Sequence, residues 1–262
     1  MNRRNNKHYK ITGDDRYDYS RDGTHRNRLK EVDKKLLIFL KENDISKLDF
    51  LEVAGSNFIT TNDMVNTLKK NNIEVVAHCS DINVFAYKYS FNFFTFIFTN
   101  ERQIIYIYIF NYRIRHPSRK LIKIFLIHSF FNFIQSRITK KFKDYLPKEK
   151  INLAIPEIQQ DEKNKFFEDD ITVFNPNFEK KYDLIRVAHL LANIKTGNYE
   201  LFKKAVLNLK RYLKDNKSFL LVVSNDIHGT IFSLNEQGNF YTVERINNGC
   251  VTKDLEKSIL EI

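Results

Sequence analysis

The stretch Leu48 to Asp81, LDFLEVAGSNFITTNDMVNTLKKNNIEVVAHCSD, limits what this chain can fold into more than any other. Leu48, Phe50, Leu51 and Val53 make an apolar run of strand length, and Ala54-Gly55-Ser56-Asn57 is a cluster of small and turn-forming residues. Thr60 or Thr61 is placed to cap a helix whose apolar positions Met64, Val65 and Leu68 recur at helical spacing, before Lys-Lys-Asn-Asn stops it. Ile73, Val75, Val76 and Ala77 then supply a second buried strand that runs into Asp81. A strand, tight turn, helix and strand in this order bring backbone N–H groups and a helix N-terminus to the carboxyl edge of a parallel sheet. An acid that ends the next strand can bond a ribose hydroxyl. Asp81 follows Ser56 by 25 residues, against the spacing of about 20 that such a unit uses. The fold class this predicts is α/β.

At 262 residues the chain has room for one well-buried α/β domain with an insertion. Two cysteines, Cys79 and Cys250, cannot build a disulfide framework or a metal cluster on their own, and MNRRNNKHYK has no apolar core behind its basic residues. The expectation is a cytoplasmic chain with no bound metal. A net charge of +11 raises the odds of an anionic partner without saying which one.

Residues 1–20 are polar and aperiodic and are expected to form a flexible tail, with a single domain over 21–262. After the Asp22-Gly23 turn, Leu29, Val32, Leu36, Leu37 and Leu40 form a helical stripe suited to leaning on a sheet. Arg21, His25, Arg26 and Arg28 ahead of it form a cationic group that could face a carboxylate or phosphate, or could simply be solvated. From about 84 to 150 the α/β rhythm is interrupted. FNFFTFIFTNERQIIYIYIF reads as a β-hairpin about Thr99–Gln103, and RKLIKIFLIHSFFNFIQSRITKKFKDYL as a basic helical segment. Residues 111–150 carry 11 Lys and Arg against Asp144 and Glu149, a net of +9. Lys123, His128, Ser129 and Asn132 break the apolar run short of a transmembrane span, leaving packing into the protein or peripheral membrane contact.

The rhythm returns at Ile151. FFEDDITVFNPNF places Asp169 and Asp170 before a further apolar run, and KYDLIRVAHLL reads as a buried strand. A helix from about Asn198 to Leu213 should turn Leu201, Ala205, Leu209 and Leu213 to one face. SFLLVVS is the next strand, and TIFSLNEQGNFYTVERI an antiparallel hairpin about Gln237-Gly238-Asn239.

EVAGSNFITT, Asp81, the EDDI segment and YDLIRVAHLLANIKTGNYELFKKAVLNLKRYLKDNKSFLLVV together resemble the class I S-adenosylmethionine-dependent methyltransferases over roughly Lys30 to Val223. The resemblance implies a Rossmann-like, mostly parallel sheet flanked by helices, interrupted by the β-hairpin and basic helical insertion. It also implies S-adenosylmethionine as cofactor. The family's first motif, an acid followed by glycines at alternate positions, falls on Glu52, Ala54, Ser56 and Phe58, with Gly55 and Asn57 between. Three usual glycines are therefore replaced, and a Cβ where φ is positive or the backbone must approach closely costs stability or displaces a ligand. By the same resemblance Glu52, Gly55, Ser56 and Asn57 would form the cofactor turn, Asp81 would hold the ribose, and Asp170 would meet the adenine amino group. Arg186 to His189 would border the methyl group.

Methyl transfer asks for alignment and, where the nucleophile needs it, removal of a proton. His189 is the candidate base or substrate contact, with His25 second; a lone histidine is otherwise structural. The methyl acceptor is not identified by any motif. The alternative function is a non-catalytic relative that holds an anionic partner, nucleic acid or a membrane surface, through residues 111–150.

Overall fold

The computed structural model describes residues 24–110, 112–115, 125–251 and 253–262. The tail predicted over 1–20, Arg21 of the cationic group, the predicted Asp22-Gly23 turn and the start of the basic helical segment lie outside them. Phe85–Leu153 form one compact unit, and the described residues before Phe85 together with Ala154–Ile262 form another.

The larger unit is a seven-stranded sheet. In chain order its strands are β1 (Lys47–Val53), β2 (Glu74–Asp81), β8 (Lys165–Glu168), β9 (Leu184–Ala188), β10 (Phe219–Val223), β11 (Gly229–Leu234) and β12 (Phe240–Ile246). The spatial order is β12-β11-β10-β9-β1-β2-β8. The five strands from β10 to β8 run parallel, and β11 and β12 return antiparallel. The chain winds outward from β1 in one direction through β2 to β8 and in the other through β9 to β10, so the carboxyl ends of β1 and β9 flank the switch point.

Helices α1 (Lys30–Glu42), α2 (Ile59–Lys70), the short α4 (Pro156–Gln159), α5 (Leu191–Gly197), α6 (Tyr199–Tyr212) and α7 (Lys253–Leu260) accompany the sheet. α1 buries Val32, Leu36 and Leu40 as its stripe predicts, and adds Phe39. α6 begins at the expected place because the Asn198 side chain accepts from Leu201 N–H (3.1 Å). Ala205, Leu209 and Leu213 are buried as predicted, joined by Phe202 and Val206, and Leu201 alone departs from the expectation by lying exposed. At the start of the helix the core of the larger unit encloses Phe202, the next residue along, in place of Leu201. The apolar run after Asp170 does not continue the sheet. Asp170 Oδ1 accepts from Thr172 N–H (2.9 Å), and the Tyr212 hydroxyl accepts from Asn175 N–H (2.7 Å), so the segment turns back towards α6.

The smaller unit is an antiparallel sheet with helix α3 (Phe125–Lys141). Its strands are β3 (Phe85–Phe91), β4 (Phe94–Phe98), β5 (Ile104–Ile109), β6 (Tyr112–Arg115) and β7 (Lys150–Asn152), in the spatial order β6-β5-β4-β3-β7. The predicted hairpin is β4 and β5. Two further hairpin strands and β7 make it a sheet with its own core of Phe96, Phe98, Ile107, Phe131, Ile138 and Phe142.

At the centre of the larger sheet Glu52 on β1 and Arg186 on β9 are register partners on neighbouring strands, both buried. Arg186 donates from Nε to Glu52 Oε2 (2.7 Å) and from Nη1 to Asp33 Oδ1 on α1 (2.6 Å), while Nη2 lies 2.5 Å from Glu52 Oε2. Thr61 on α2 donates its hydroxyl to the same Glu52 oxygen (3.1 Å). The structure thus gives Thr61 a different task from the helix cap predicted for it: α2 starts at Ile59, and the Asn57 side chain accepts from its N–H (3.3 Å).

One guanidinium faces two carboxyls in a site without water's dielectric. Burial pushes both carboxyls up. For Asp33 it prevails over the opposing pull of Arg186, with the charge of Glu52 adding to the rise, and carries the group to about 7. The folded chain therefore holds a proton on Asp33 up to about pH 7, and the unfolded chain only to 3.8. The folded state binds more protons across that window, so stability falls as pH rises through it. Urea unfolding of Asp33→Asn at pH 5 and pH 7.5 is expected to show a flatter pH dependence than the parent chain; equal slopes would refute the assignment.

Candidate functional site

The carboxyl edge of the parallel strands collects most of the residues singled out from sequence. β1 ends in the turn 54–58, β2 in Asp81, β8 in Asp169 and Asp170, β9 in His189, and β10 in Ser224 to Asp226. Glu52 and Arg186 lie further in and are occupied with each other, with Asp33 and with Thr61. They support the edge from beneath.

The turn has an unusual backbone. Ala54 (φ 57°), Ser56 (φ 57°) and Phe58 (φ 59°) are all left-handed, a region that costs an L-residue with a Cβ roughly 1–2 kcal/mol. These are the three alternate positions at which the resembling family carries glycine. Gly55 between them is needed for space: a Cβ there would stand 2.3 Å from Phe58 Cδ1 and 3.0 Å from Glu52 Cγ. The Phe58 ring is wholly buried, packed edge-on to Phe166 with 5.9 Å between centroids. Burying a phenyl ring returns about 1.5–3 kcal/mol, which offsets the strain at Phe58 itself.

Asp81 holds the turn in place. Its Oδ2 accepts from Ser56 N–H (2.9 Å), its Oδ1 from Asn83 N–H (3.0 Å), and its carbonyl from Asp169 N–H (3.1 Å). The turn is also tied to β2 by Gly55 N–H to Ser80 O (3.4 Å) and by the Ser80 hydroxyl to Glu52 O (3.2 Å). Two buried polar atoms at this edge have no hydrogen-bond partner among the described residues, Asn57 Nδ2 and Asp169 Oδ2. An unpaired buried donor or acceptor costs about 1–3 kcal/mol, so each is a place where a bound molecule would gain. Burial also pushes the Asp169 carboxyl up, with Asn175 opposing. Asp170 is exposed; its Oδ1 takes both the N–H and the hydroxyl of Thr172 (2.9 and 2.8 Å).

His189 sits across the switch point, itself left-handed (φ 61°) and anchored by its N–H to Val223 O (2.8 Å). Arg28 donates from Nη2 to His189 Nε2 (3.0 Å) and from Nε to Asp226 Oδ1 (2.7 Å), and Nε2 lies 3.5 Å from that same oxygen. A guanidinium has no acceptor, so Nε2 is the lone-pair nitrogen and the ring is neutral with its proton on Nδ1. Burial, followed by the charge of Arg28, holds its pKa below the usual histidine value, with Asp226 opposing. The segment ahead of α1 thus crosses the edge of the sheet. Arg26 pairs with Glu157 and stands 3.8 Å from Asp63 Oδ1, and Asp63 Oδ2 accepts from Asn27 N–H (2.6 Å). The carboxylates that the predicted cationic group faces are the chain's own. His25 is exposed.

Two participants were not singled out from sequence. Asp33 had a signal, an acid one residue after Val32 on the apolar face of α1. Asp226 had a weaker one, an acid just past the end of the SFLLVV strand.

No family model and no curated protein matches the chain. Among solved structures, the CMeT domain of the citrinin polyketide synthase is 15% identical over 73% of this chain and 34% of its own, with TM-score 0.37. The CurJ carbon methyltransferase is 13% identical over 75% and 34%, with TM-score 0.37. A protein from Pyrococcus horikoshii OT3 is 11% identical over 92% and 82%, with TM-score 0.39. The matched region thus spans about a third of the length of the first two. The fold assignment rests on the strand order of the chain itself.

The geometry makes opposite predictions for adjacent residues. Ala54→Gly removes a left-handed penalty, less the extra entropy glycine loses on folding, and is expected to raise stability by roughly 0.5–1 kcal/mol. Gly55→Ala drives a Cβ into the Phe58 ring and is expected to lower it by roughly 1–3 kcal/mol. Thermal unfolding of the two variants measures both, and a shift of the same sign in each would contradict the turn geometry.

Proposed function

We propose that this chain catalyses methyl transfer from S-adenosylmethionine to an acceptor that remains to be identified. The observation that carries the reading is the left-handed backbone at Ala54, Ser56 and Phe58. The resembling family obtains this turn shape from glycines; here it persists although the glycines are gone, at a cost in strain. Strain retained at the carboxyl edge of a switch point is a mark of a working site.

The residues present suit a nucleoside with a charged tail. Each oxygen of Asp81 takes one backbone N–H and keeps a further lone pair, so its carboxylate can accept from ribose hydroxyls while still holding the turn. Asp170 Oδ2 has no partner among the described residues and is available to an exocyclic amino group. Asn57 Nδ2 and Asp169 Oδ2 add one donor and one acceptor. Gly55 and Ser56 take part through backbone, and Glu52 and Arg186 act as positioning residues beneath them.

When bound, the sulfonium of the cofactor supplies the methyl group and makes it electrophilic. His189 is the base or acceptor contact in this reading. Its neutral ring has the required lone pair on Nε2, held by Arg28. Releasing Nε2 requires Arg28 to be drawn to another anion, or to Asp226 alone, so Arg28 gates the base.

Titration calorimetry of the full chain with S-adenosylmethionine and S-adenosylhomocysteine is expected to give saturable binding. Asp81→Ala should weaken it roughly tenfold or more, the scale of a charge-assisted hydrogen bond. Asp170→Ala, at an exposed position with little risk to folding, should weaken it several-fold. No heat from the folded parent chain, or affinity unchanged in both variants, would overturn the proposal.

A further inference from the structure

The smaller unit carries a surface that neither its fold nor the proposed chemistry explains. β3 passes into β4 through Asn92 and Phe93, and Phe110 follows the end of β5 just ahead of β6. Because β4 and β5 pair antiparallel with Phe94 opposite Ile109, these two strand ends lie side by side, joined by Phe110 N–H to Phe93 O (2.7 Å). Four aromatic side chains stand out there: Phe91 is 56% exposed, Phe93 46%, Phe110 70% and Tyr112 67%. Hairpin turns ordinarily carry Gly, Asn or Asp at positive φ. Phe110 occupies that conformation (φ 52°) with most of its ring in solvent. It bears the strain of a left-handed residue and gains almost nothing from burial, so folding does not account for it.

Charge identifies the medium this tip faces. Residues 85–153 contain 13 Lys and Arg and only Glu101, Asp144 and Glu149, a net of +10 out of +11 for the whole chain. Arg137, Lys140, Lys141 and Lys143 at the end of α3 and just beyond it are exposed. An apolar tip on a cationic body matches a surface that is anionic outside and apolar within. Among the described residues no helix is long and apolar enough to cross a membrane, so contact made by this tip would be interfacial. Single-stranded nucleic acid fits less well. It needs separate aromatic faces on which successive bases stack, whereas Phe93 is stacked on Phe110 at 5.2 Å and packed on Phe94 at 4.4 Å. The rings form one wedge.

We propose that the aromatic tip of Phe91, Phe93, Phe110 and Tyr112 inserts into the interfacial layer of an anionic lipid bilayer, with the basic residues of the unit held by its headgroups. This does not depend on the cofactor reading, and cofactor binding measured separately distinguishes failure of one from failure of the other.

The test is co-sedimentation of the full chain with vesicles of phosphatidylcholine alone and of phosphatidylcholine with phosphatidylserine. Binding is expected only to the second and should weaken with salt. Phe93→Ser with Phe110→Ser, exposed substitutions checked for folding by circular dichroism, is expected to lose roughly tenfold or more in vesicle affinity. Because the chain has no Trp, Phe93→Trp provides a second readout: its emission should shift to the blue and be quenched by brominated lipid. Unchanged affinity in the double variant, together with unquenched indole emission from the Phe93→Trp chain, would overturn insertion. So would binding of a labelled single-stranded oligonucleotide without any vesicle binding, which would assign the surface to nucleic acid.

Discussion

Arg186 has one positive charge to share between two carboxyls, and the arrangement of the larger unit follows from where those three groups sit. Glu52 comes from β1, Arg186 from the neighbouring β9, and Asp33 from α1. Their contacts lock the two strands on either side of the switch point into one register and clamp a helix across them. Thr61 brings the first turn of α2 into the same network. An apolar trio could fill the space with no loss of stability. What an ionic network adds is direction, since a shift of one residue between β1 and β9 would leave charges buried without partners. The turn 54–58 begins two residues after Glu52, so its position at the sheet edge is set by this register.

The edge built on that register is strained and partly unsatisfied. Ala54, Ser56, Phe58 and His189 are all left-handed, and Asn57 Nδ2 and Asp169 Oδ2 are buried without partners among the described residues. Asp81 offsets some of the strain by fixing Ser56, and Phe58 offsets more by filling the space above Gly55. The remainder is concentrated at the carboxyl edge of the sheet, while the interior beneath is closely packed by Leu51, Val53, Ile185 and Val187. Arg28 and Asp226 close over His189 from the opposite side. The turn 54–58 and His189 therefore stand at the ends of adjacent strands, each held by side chains outside the packed core.

Much of this was legible in sequence because the parallel strands are continuous apolar runs and the helices between them are periodic. Leu48 to Asp81 and Leu184 to Val223 could be read from those two signals. The turn's shape was not legible, since Ala54, Ser56 and Phe58 have no local preference for left-handed backbone and are held there by Asp81 and by the Phe58 ring. Asp33 was hidden because an acid on an apolar face gains meaning only when a distant arginine is known to meet it. Leu201 and Phe202 are equally apolar, and packing chose between them. In the smaller unit the β4–β5 hairpin was visible from its alternation, but β7 pairs with β3 from the far end of the unit and neither segment carries a signature of it.

The most direct measurement is a backbone amide titration of the ¹⁵N-labelled full chain with S-adenosylhomocysteine, followed residue by residue. The account predicts shifts concentrated at Gly55, Ser56, Asn57, Asp81 and His189. A folded spectrum that does not change, or changes confined to residues 85–153, would contradict it.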